Sequence, residues 1–373
     1  MIKKICIVVS SDMTVKSFLL KHIELLSRSY EIYIVMNSNV DIANLYGVNC
    51  KSYYIPIERK ISFIKDITSI KKLYNFFKIE KFDLVLSVTP KAGLLAMIAS
   101  FFVSVKHRVH FFTGQVWVTK IGVFRLILKN IDRGIFLLST HVLIDSISQR
   151  IFLMKEKVVS SNKSSVLLYG SISGVDTKKF IQNNDIRKEL RQKYHILEDD
   201  IVFIFMGRLN LDKGVLDLYN AFRKLILEHK NIKLFIVGQD EENLEKCIAD
   251  LVQNNSVFRI DHVLNPEIIL NVADILILPS YREGFGTIVI EAASMEIPCI
   301  GSDIYGLSDA IQDNVTGLLH KKGNVEDIRL KCEYLIQNRH KIKEFGVNAQ
   351  QRVDKCFQDI QLSNELKKYI DGL

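Results

Sequence analysis

The sequence has 373 residues, of which 48% are hydrophobic and 25% are charged, with 18 Gly, 5 Pro and 6 Cys. These proportions are those of a globular protein, and they exclude a disordered chain, a collagen-like repeat and a disulfide scaffold. The net charge of +8 is unevenly distributed: Lys and Arg minus Asp and Glu gives +13 for residues 1–170 and −5 for residues 171–373. The first half is therefore expected to face an anionic partner.

Short apolar strands alternate with helical segments along the whole chain. In the first half, strands are predicted at residues 5–10, 32–36, 84–88, 109–112 and 142–145, and helices at 16–27, 61–77 and 92–102. In the second half, strands are predicted at 201–206, 234–237, 275–278 and 298–301, helices at 215–229, 241–253 and 287–295, and helical structure from 326 to the end. Continuous apolar strands between helices predict parallel sheets covered on both faces, and hence two α/β domains in series.

The densest Gly and Ser stretch, Leu168–Lys178, marks the predicted domain boundary. We expect a first domain at residues 1–168, a second at 169–355, and a helix at 356–373 that packs back toward the first domain. Ligands of open parallel sheets bind outside the carboxyl ends of the strands. Functional residues are therefore expected directly after the predicted strands.

The sequence also predicts the compartment. The six cysteines are scattered without a Cys-x-x-Cys pair, which indicates reduced thiols in a cytoplasmic protein. The start of the chain, MIKKICIVVSS, lacks a small-residue cleavage site and predicts a buried strand rather than a signal peptide. The longest uncharged apolar stretch, Ala92 to Val105, is shorter than the roughly 20 residues of a membrane span. We expect a soluble or peripheral protein.

A first candidate site follows the predicted strand at 201–206. Gly207 allows a sharp turn there. Arg208 and Lys213 lie five residues apart on a loop that leads into a helix, so the two cations can converge on one diphosphate with the help of helix amides. A pair of solvated surface charges is the alternative.

A second candidate site, PSYREGFG at residues 279–286, follows the predicted strand at 275–278. Gly284 and Gly286 would expose backbone amides where the next helix begins, which makes an anion cradle. Glu283 and Glu291 are eight residues apart, and carboxylates accept hydrogen bonds from vicinal hydroxyls, so one can hold a sugar and the other a ribose. For Glu291, the alternative is an ordinary helix glutamate that the helix dipole stabilises.

These motifs, together with Ser302-Asp303 and the segment DNVTGL at 313–318, resemble glycosyltransferase family 4. That family has the GT-B architecture, in which two Rossmann-like domains turn their parallel sheets toward an interdomain cleft. More weakly, four further segments resemble a bacterial subgroup that builds O-antigen, capsule and related polysaccharides. They are TPKAG at 89–93, FTGQVW at 112–117, DSISQR at 145–150 and GSISGVD at 170–176.

The resemblance implies a role for each matched residue. Arg208 and Lys213 would neutralise the donor diphosphate, which is the leaving group, and Glu283 would bind the hydroxyls of the transferred sugar without acting as an acid or base. The remaining donor-binding positions are Gly207, the amides of Gly284, Phe285 and Gly286, Thr287 at a phosphate, and Glu291 at the ribose, with residues 258–260 placed near the base. The resemblance further implies retention of configuration, with no metal and no other cofactor.

The first domain departs from the family in two places. The loop after the first strand reads SSDMT at 10–14 instead of a glycine-rich loop, which leaves Ser11 as a candidate for the diphosphate or the acceptor. Many members place a histidine at the reacting centre, and His110 is the candidate here unless it lies within its strand as a core residue. In that case Thr113 or Gln115 would be nearest the sugar. Trp117 is expected either to stack on a sugar or to pack in the core.

The basic first half predicts a lipid surface as partner. Residues 124–138 form an amphipathic helix with Arg125, Lys129 and Arg133 on one stripe, and residues 60–81 mix six lysines with aromatic residues. A basic amphipathic helix can lie on an anionic membrane, although it can also cover its own sheet. Nucleic acid is not expected, because no nucleic-acid-binding module accompanies the charge. We expect peripheral association with the inner face of the cytoplasmic membrane.

The leading hypothesis is a retaining, metal-independent glycosyltransferase of bacterial surface polysaccharide assembly. It would move a hexose or N-acetylhexosamine from a nucleotide diphosphate, with UDP expected, to a polyprenyl-diphosphate-linked saccharide. A nucleotide-sugar epimerase of the same fold and a non-catalytic nucleotide-sugar-binding subunit are the alternatives. A Rossmann dehydrogenase is excluded because the chain has no Gly-x-Gly-x-x-Gly.

Overall fold

The computed structural model describes residues 3–58, 62–253 and 256–373. It forms two compact units, which we call the first unit (Met1–Gly174 with Asp359–Leu373) and the second unit (Val175–Gln358). The start of the helix predicted at residue 61, and Lys60 of the basic stretch, lie outside the described residues.

The first unit is built on a parallel sheet of seven strands. They are β1 (Lys4–Val8), β2 (Glu31–Met36), β3 (Lys51–Tyr54), β4 (Leu84–Val88), β5 (His107–Phe112), β6 (His141–Ile144) and β7 (Ser164–Ser165). Between them lie α1 (Asp12–Phe18), α2 (Leu20–Leu26), α3 (Ile42–Tyr46), α4 (Phe63–Glu80), α5 (Pro90–Phe102), a 3-10 turn (Val116–Thr119), α6 (Gly122–Leu138) and α7 (Ile147–Lys155). The strand order is β3-β2-β1-β4-β5-β6-β7. Ile5 of β1 pairs with Ile32 on one side and Leu84 on the other.

The second unit repeats this plan with six parallel strands. They are β8 (Ile201–Met206), β9 (Ile232–Val237), β10 (Val257–Ile260), β11 (Ile275–Leu278), β12 (Cys299–Ser302) and β13 (Gly317–His320), in the order β10-β9-β8-β11-β12-β13. The helices are α8 (Asn184–Lys193), α9 (Val215–Glu228), α10 (Glu245–Val252), α11 (Pro266–Leu270), α12 (Thr287–Ser294), α13 (Leu307–Ala310), α14 (Val325–Gln337) and α15 (Arg339–Cys356), with a 3-10 turn at Leu211–Lys213. All six residues of β8 are buried, because helices cover both faces of the sheet.

The last helix, α16 (Asp359–Asp371), returns to the first unit. Leu366 and Ile370 are buried in the same apolar cluster as Ile5 and Ile7 of β1. The hydroxyl of Tyr30, which follows α2, donates a hydrogen bond to the Asp371 carboxylate. The first unit is therefore completed by residues that lie far away in sequence.

Several predicted helices differ in their bounds. The segment at 16–27 is two helices, α1 and α2, separated at Leu19, whose φ of −121° is not helical. The helix predicted from residue 241 begins only at Glu245. The reason is Asp240, whose carboxylate accepts three backbone N–H groups, from Glu242, Leu244 and Glu245, and so fixes a turn ahead of the helix.

In each sheet the order in which the strands are added reverses once, and this reversal determines where a ligand can bind. The first unit has its switch point between β1 and β4, and the second between β8 and β11. A crevice forms outside the carboxyl ends of the two strands at such a point. Among the described residues, no helix is long and apolar enough to cross a membrane.

One histidine is built into the packing of the first unit. His110 lies within β5, is 1% exposed, and its Nδ1 lies 2.8 Å from the Ser87 hydroxyl. Burial lowers the pKa of His110 to about 3, so the ring is neutral. A Cβ atom on Gly93 of α5 would lie 2.3 Å from the ring, so only glycine fits there.

We predict that Gly93→Ala destabilises the first unit by about 1–3 kcal/mol, because the enclosed ring cannot move away from the new methyl group. Gly134→Ala in α6 is the matched control: its Cβ would meet nothing within 4 Å, and alanine favours the helix by roughly 0.5–1 kcal/mol. Urea unfolding followed by circular dichroism measures both changes. Equal stabilities of the two variants would contradict the close packing of Gly93 against His110.

Candidate functional site

The second unit places the two sequence-predicted loops side by side. β8 and β11 are hydrogen-bonded neighbours, with Phe203 opposite Ile275 and Ile204 opposite Leu276. The loop 207–214 leaves the end of β8 and the loop 279–286 leaves the end of β11. Both therefore lie at the switch point of this sheet, which is where an open α/β sheet binds ligands.

A close backbone approach fastens these two loops together. Gly214 has φ of 70°, and a Cβ atom there would lie 2.0 Å from the carbonyl oxygen of Pro279. The Tyr281 N–H donates to the Asp212 carbonyl at 2.8 Å, and Arg282 Nε donates to the Asp212 carboxylate at 2.7 Å. The geometry of each loop thus depends on the other.

This contact brings Lys213 and Glu283 together. Lys213 Nζ lies 2.5 Å from Glu283 Oε1, and the same oxygen accepts a hydrogen bond from the Ser280 hydroxyl at 2.8 Å. The two charged side chains are only 19% and 12% exposed. A partly buried ammonium and a carboxylate with a fixed direction are available to a ligand at this point.

Arg208 points in another direction. Its Nη1 donates to both carboxylate oxygens of Glu241, at 3.0 and 2.9 Å. Glu241 follows β9, which flanks β8 on the side opposite β11. The structure therefore pairs each cation of the predicted diphosphate site with its own carboxylate, and the two pairs lie on opposite sides of β8.

The second predicted loop ends in a helix start that offers backbone amides. Gly286 has φ of 84° and directly precedes α12. The Phe285 side chain is buried against Phe357, with ring centroids 5.2 Å apart, and this packing anchors the loop. Thr287 is the first residue of α12. A Cβ atom on Gly306 would lie 2.4 Å from the Gly284 carbonyl oxygen. Because Gly306 has no side chain, the two backbones can pack closely, and this contact supports the loop.

Glu291 lies one turn into α12 and is partly exposed. The pKa of its carboxyl is raised to about 7: burial is the main cause, the positive charge of Lys179 opposes the shift, and the negative charge of Glu267 adds to it. Among the residues that the structure describes, none donates a hydrogen bond to it. A carboxyl group in this state can accept hydroxyl donors from a ligand.

The first unit holds the remaining candidates at the carboxyl edge of its sheet. Ser11 precedes α1, is partly exposed, and lies 3.2 Å from the Thr14 hydroxyl. Gln115 is 2% exposed and bonded internally: it donates to the Thr113 carbonyl at 2.8 Å and accepts from Gln149 Nε2 at 2.7 Å. Thr113 is partly exposed. Of the pair Thr113 and Gln115, Thr113 is the one that a ligand can reach.

Trp117 is a core residue, whereas Phe258 is a partly buried residue at the margin of the second unit's core. Trp117 is 1% exposed, stacks on Phe152, and donates its indole N–H at 2.7 Å to Asp132, whose pKa burial raises to about 7. Phe258, placed near the base by the sequence, packs against Phe235 with ring centroids 4.8 Å apart. Trp117 is therefore enclosed, whereas Phe258 keeps an exposed part.

The predicted cationic stripe of α6 also differs from expectation. Lys129 and Arg125 contact the carboxylate of Glu156 at 2.5 and 3.2 Å, and Arg133 donates to the Lys157 carbonyl. These cations therefore bind the carboxyl end of α7, where helix carbonyls and a carboxylate attract them. What α6 exposes is apolar: Ile121, Val123, Phe124, Leu126 and Ile127 are each at least half exposed.

Four residues of the second unit's site were missed by sequence reasoning: Asp212, Glu241, Ser280 and Gly238. Gly238 has φ of 139°, and a Cβ atom there would lie 1.9 Å from the Gly207 carbonyl oxygen. A glycine directly after a buried strand was a usable signal for this position. Asp212 and Glu241 act through partners on separate loops, and Ser280 acts through Glu283 of its own loop.

One described group could offer metal ligands, Glu228 with His229 and Glu333. It lies at the end of α9, and Arg329 already contacts both of its carboxylates. The β8–β11 switch point instead has Lys213 and the backbone amides at the start of α12, which suit an anion.

Two doubly wound parallel sheets in one chain, each with its own switch point, are the GT-B plan. Solved structures agree on the fold. The structure of Anabaena HepE in complex with UDP and glucose matches this chain with a TM-score of 0.82 over all of both chains, at 15% sequence identity. WaaG, a glycosyltransferase involved in lipopolysaccharide biosynthesis, matches with 0.76 over all of both chains at 17% identity.

The sequence comparisons show the family. Residues 186–352 match the model of glycosyl transferases group 1. The capsular polysaccharide biosynthesis glycosyltransferase CapM of Staphylococcus aureus is 31% identical over 93% of both chains. A UDP-Gal:alpha-D-GlcNAc-diphosphoundecaprenol alpha-1,3-galactosyltransferase of Escherichia coli is 27% identical over 90% of both. The chain belongs to the group 1 glycosyltransferase family, so the predicted family and the GT-B fold class are confirmed.

The raised pKa of Glu291 predicts a pH-dependent stability. Folding favours the protonated carboxyl, so the stability that it contributes is complete below about pH 4.5 and is lost as the pH rises through about 7. The stability of Glu291→Gln should therefore rise relative to that of the wild type by about 1–3 kcal/mol between pH 5 and pH 8.

Urea unfolding of both proteins between pH 5 and 8 measures this difference. Glu296→Gln, at an exposed carboxylate just beyond the end of α12, is the matched control for the loss of one carboxylate charge. A Glu291→Gln difference that is constant across the same range would contradict the raised pKa of this carboxyl.

Proposed function

We propose that this glycosyltransferase moves a hexose or N-acetylhexosamine from a UDP-linked donor to a polyprenyl-diphosphate-linked saccharide during bacterial surface polysaccharide assembly. The names of its relatives support the pathway and the lipid-linked acceptor. The observation that carries the donor half is the Lys213–Glu283 pair beside the start of α12. An ammonium, a directed carboxylate and helix amides at one switch point suit a sugar bound to a diphosphate.

The pair explains how both ends of the donor could be held. The diphosphate would replace Glu283 as the anionic partner of Lys213, and the amides of 284–286 would donate to the phosphate oxygens. Glu283, still fixed by Ser280, could then accept hydrogen bonds from the sugar hydroxyls. Glu291 would accept hydrogen bonds from the ribose, which favours its ionised form and lowers its pKa on binding.

We further propose that transfer retains configuration and uses no divalent ion. Fixed cations and oriented amides would stabilise the charge that develops on the leaving diphosphate. The bond from the anomeric carbon to the phosphate oxygen breaks, the acceptor oxygen bonds to the same face of the sugar, and its proton passes to the leaving phosphate. Glu283 would position the sugar in this step, and Thr113, with Ser11, would lie on the acceptor side.

Glu283→Gln should lower kcat by at least about a hundredfold with little loss of stability, because the carboxylate that directs the sugar is lost while the amide keeps its volume. Lys213→Met should weaken binding of UDP more than that of uridine, since only the diphosphate contacts the ammonium. UDP release with a lipid-linked acceptor and calorimetric Kd values measure the two effects.

Three results of these assays contradict the proposal. Conversion of the free UDP-sugar without an acceptor indicates an epimerase, and binding without turnover across a donor panel indicates a binding subunit. Wild-type activity that is lost with a chelator and restored by Mg²⁺ contradicts metal independence. Glu283→Asp, which keeps the charge on a shorter stem, is the conservative variant and should retain part of kcat.

We also propose that the first unit docks peripherally on the inner face of the cytoplasmic membrane, through apolar residues flanked by lysines. Phe63 and Ile64 at the start of α4 are each 81% exposed, and Phe124 and Ile127 of α6 are about half exposed. α5 packs against both helices, so the two apolar stretches lie on one layer of the unit. Lys71, Lys72 and Lys78 of α4 are exposed to attract anionic lipid.

Replacing Phe63, Ile64, Phe124 and Ile127 with serine should reduce partition onto anionic vesicles at least about tenfold, because their apolar area no longer enters the lipid. Sedimentation with phosphatidylglycerol vesicles measures the partition. The double variant Phe101→Ser/Phe102→Ser removes two exposed rings at the C-terminal end of α5 and is the matched control. It should change the partition onto vesicles little. An equal loss in both variants would contradict docking at this surface.

A further inference from the structure

The Arg208–Glu241 pair carries an inference that rests on the proposed donor. Lys213 turns toward β11, where Glu283 and the amides of α12 lie, whereas Arg208 turns toward β9. Arg208 is bound there through both oxygens of Glu241. For both cations to contact one diphosphate, Arg208 must turn toward Lys213, and its ion pair with Glu241 opposes that turn.

Glu241 is held in place independently of Arg208. Its backbone N–H donates to the Leu209 carbonyl at 3.1 Å, and the Leu209 N–H donates to the Gln239 carbonyl at 2.8 Å, so the two loops are paired. Asn210 Nδ2 also donates to Glu241 Oε2 at 3.0 Å. The carboxylate therefore stays fixed and keeps a hydrogen bond when Arg208 leaves.

Arg208 is free to make this exchange. Its side chain is 50% exposed, against 30% for Glu241, and an exposed ion pair is held only weakly. A diphosphate offers the guanidinium more negative charge than one carboxylate and accepts its paired N–H groups equally well. The exchange thus favours the bound donor at a small cost.

We propose that Glu241 competes with the donor diphosphate for Arg208. In the empty protein Glu241 holds Arg208 away from the switch point, and on binding the diphosphate takes the place of Glu241 as the partner of Arg208. Glu241 is then a positioning residue that lowers affinity, because part of the attraction between Arg208 and the diphosphate is used to break the existing pair. An anion that does not reach Arg208 leaves the pair intact, so the competitor discriminates by the reach and charge of the ligand.

Glu241→Gln tests this proposal, because glutamine keeps the volume and an oxygen for Asn210 but loses the charge that holds Arg208. The Kd of UDP, measured by calorimetry, should become about two- to fivefold tighter, which is the range expected for releasing an exposed ion pair. The Kd of uridine should not change. In the Arg208→Ala background the same substitution should have no effect on UDP.

Glu242→Gln is the matched control. Its carboxylate is adjacent and accepts the Leu211 N–H at 2.8 Å, and no hydrogen bond joins it to Arg208 among the described contacts. It removes the same charge from the same loop, so an equal gain in UDP affinity from both variants would mean a general field effect and would overturn the proposal.

Weaker or unchanged UDP binding by Glu241→Gln, or a gain that persists without Arg208, overturns it as well. Inorganic pyrophosphate separates this proposal from the proposed function. If the wild type binds pyrophosphate but not UDP, the proposed donor is wrong, and the same comparison of variants is decided with pyrophosphate. If it binds neither, both proposals fail.

Discussion

The contact of the Gly214 backbone with the Pro279 carbonyl is the constraint on which the site depends. It joins the ends of two neighbouring strands at a distance that admits no side chain. The positions of Lys213 and Glu283 follow from it, because each belongs to one of the joined loops. The charges are therefore placed by backbone packing, and their mutual attraction only refines their positions.

The sequence predicts the interior of this fold well and its margins poorly. β8 and β11 are continuous apolar runs, so their period and length identify them without any tertiary knowledge. β3 and β10 lie at sheet edges and mix polar with apolar residues, so no local pattern marks them. Asp240 shortens a predicted helix because its side chain competes for the backbone N–H groups, which a periodicity argument does not weigh.

The same distinction holds for the site. Arg208, Lys213, Glu283 and Gly286 could be located from sequence because each follows a recognisable strand. Their partners could not be: Glu241 lies 33 residues from Arg208, and which of the acidic residues 240–242 would reach it depends on the pairing of two loops. The ion pairs of Arg125 and Lys129 of α6 could not be predicted for the same reason, since their partner Glu156 follows a different helix, α7.

The return of α16 to the first unit has a consequence for biosynthesis. Residues 175–358 are contiguous and can fold while the ribosome is still translating, but the sheet around Ile5 stays partly uncovered until Leu366 and Ile370 have emerged. The first unit is thus finished only after the second unit has been translated. During elongation its open apolar side is a target for chaperones.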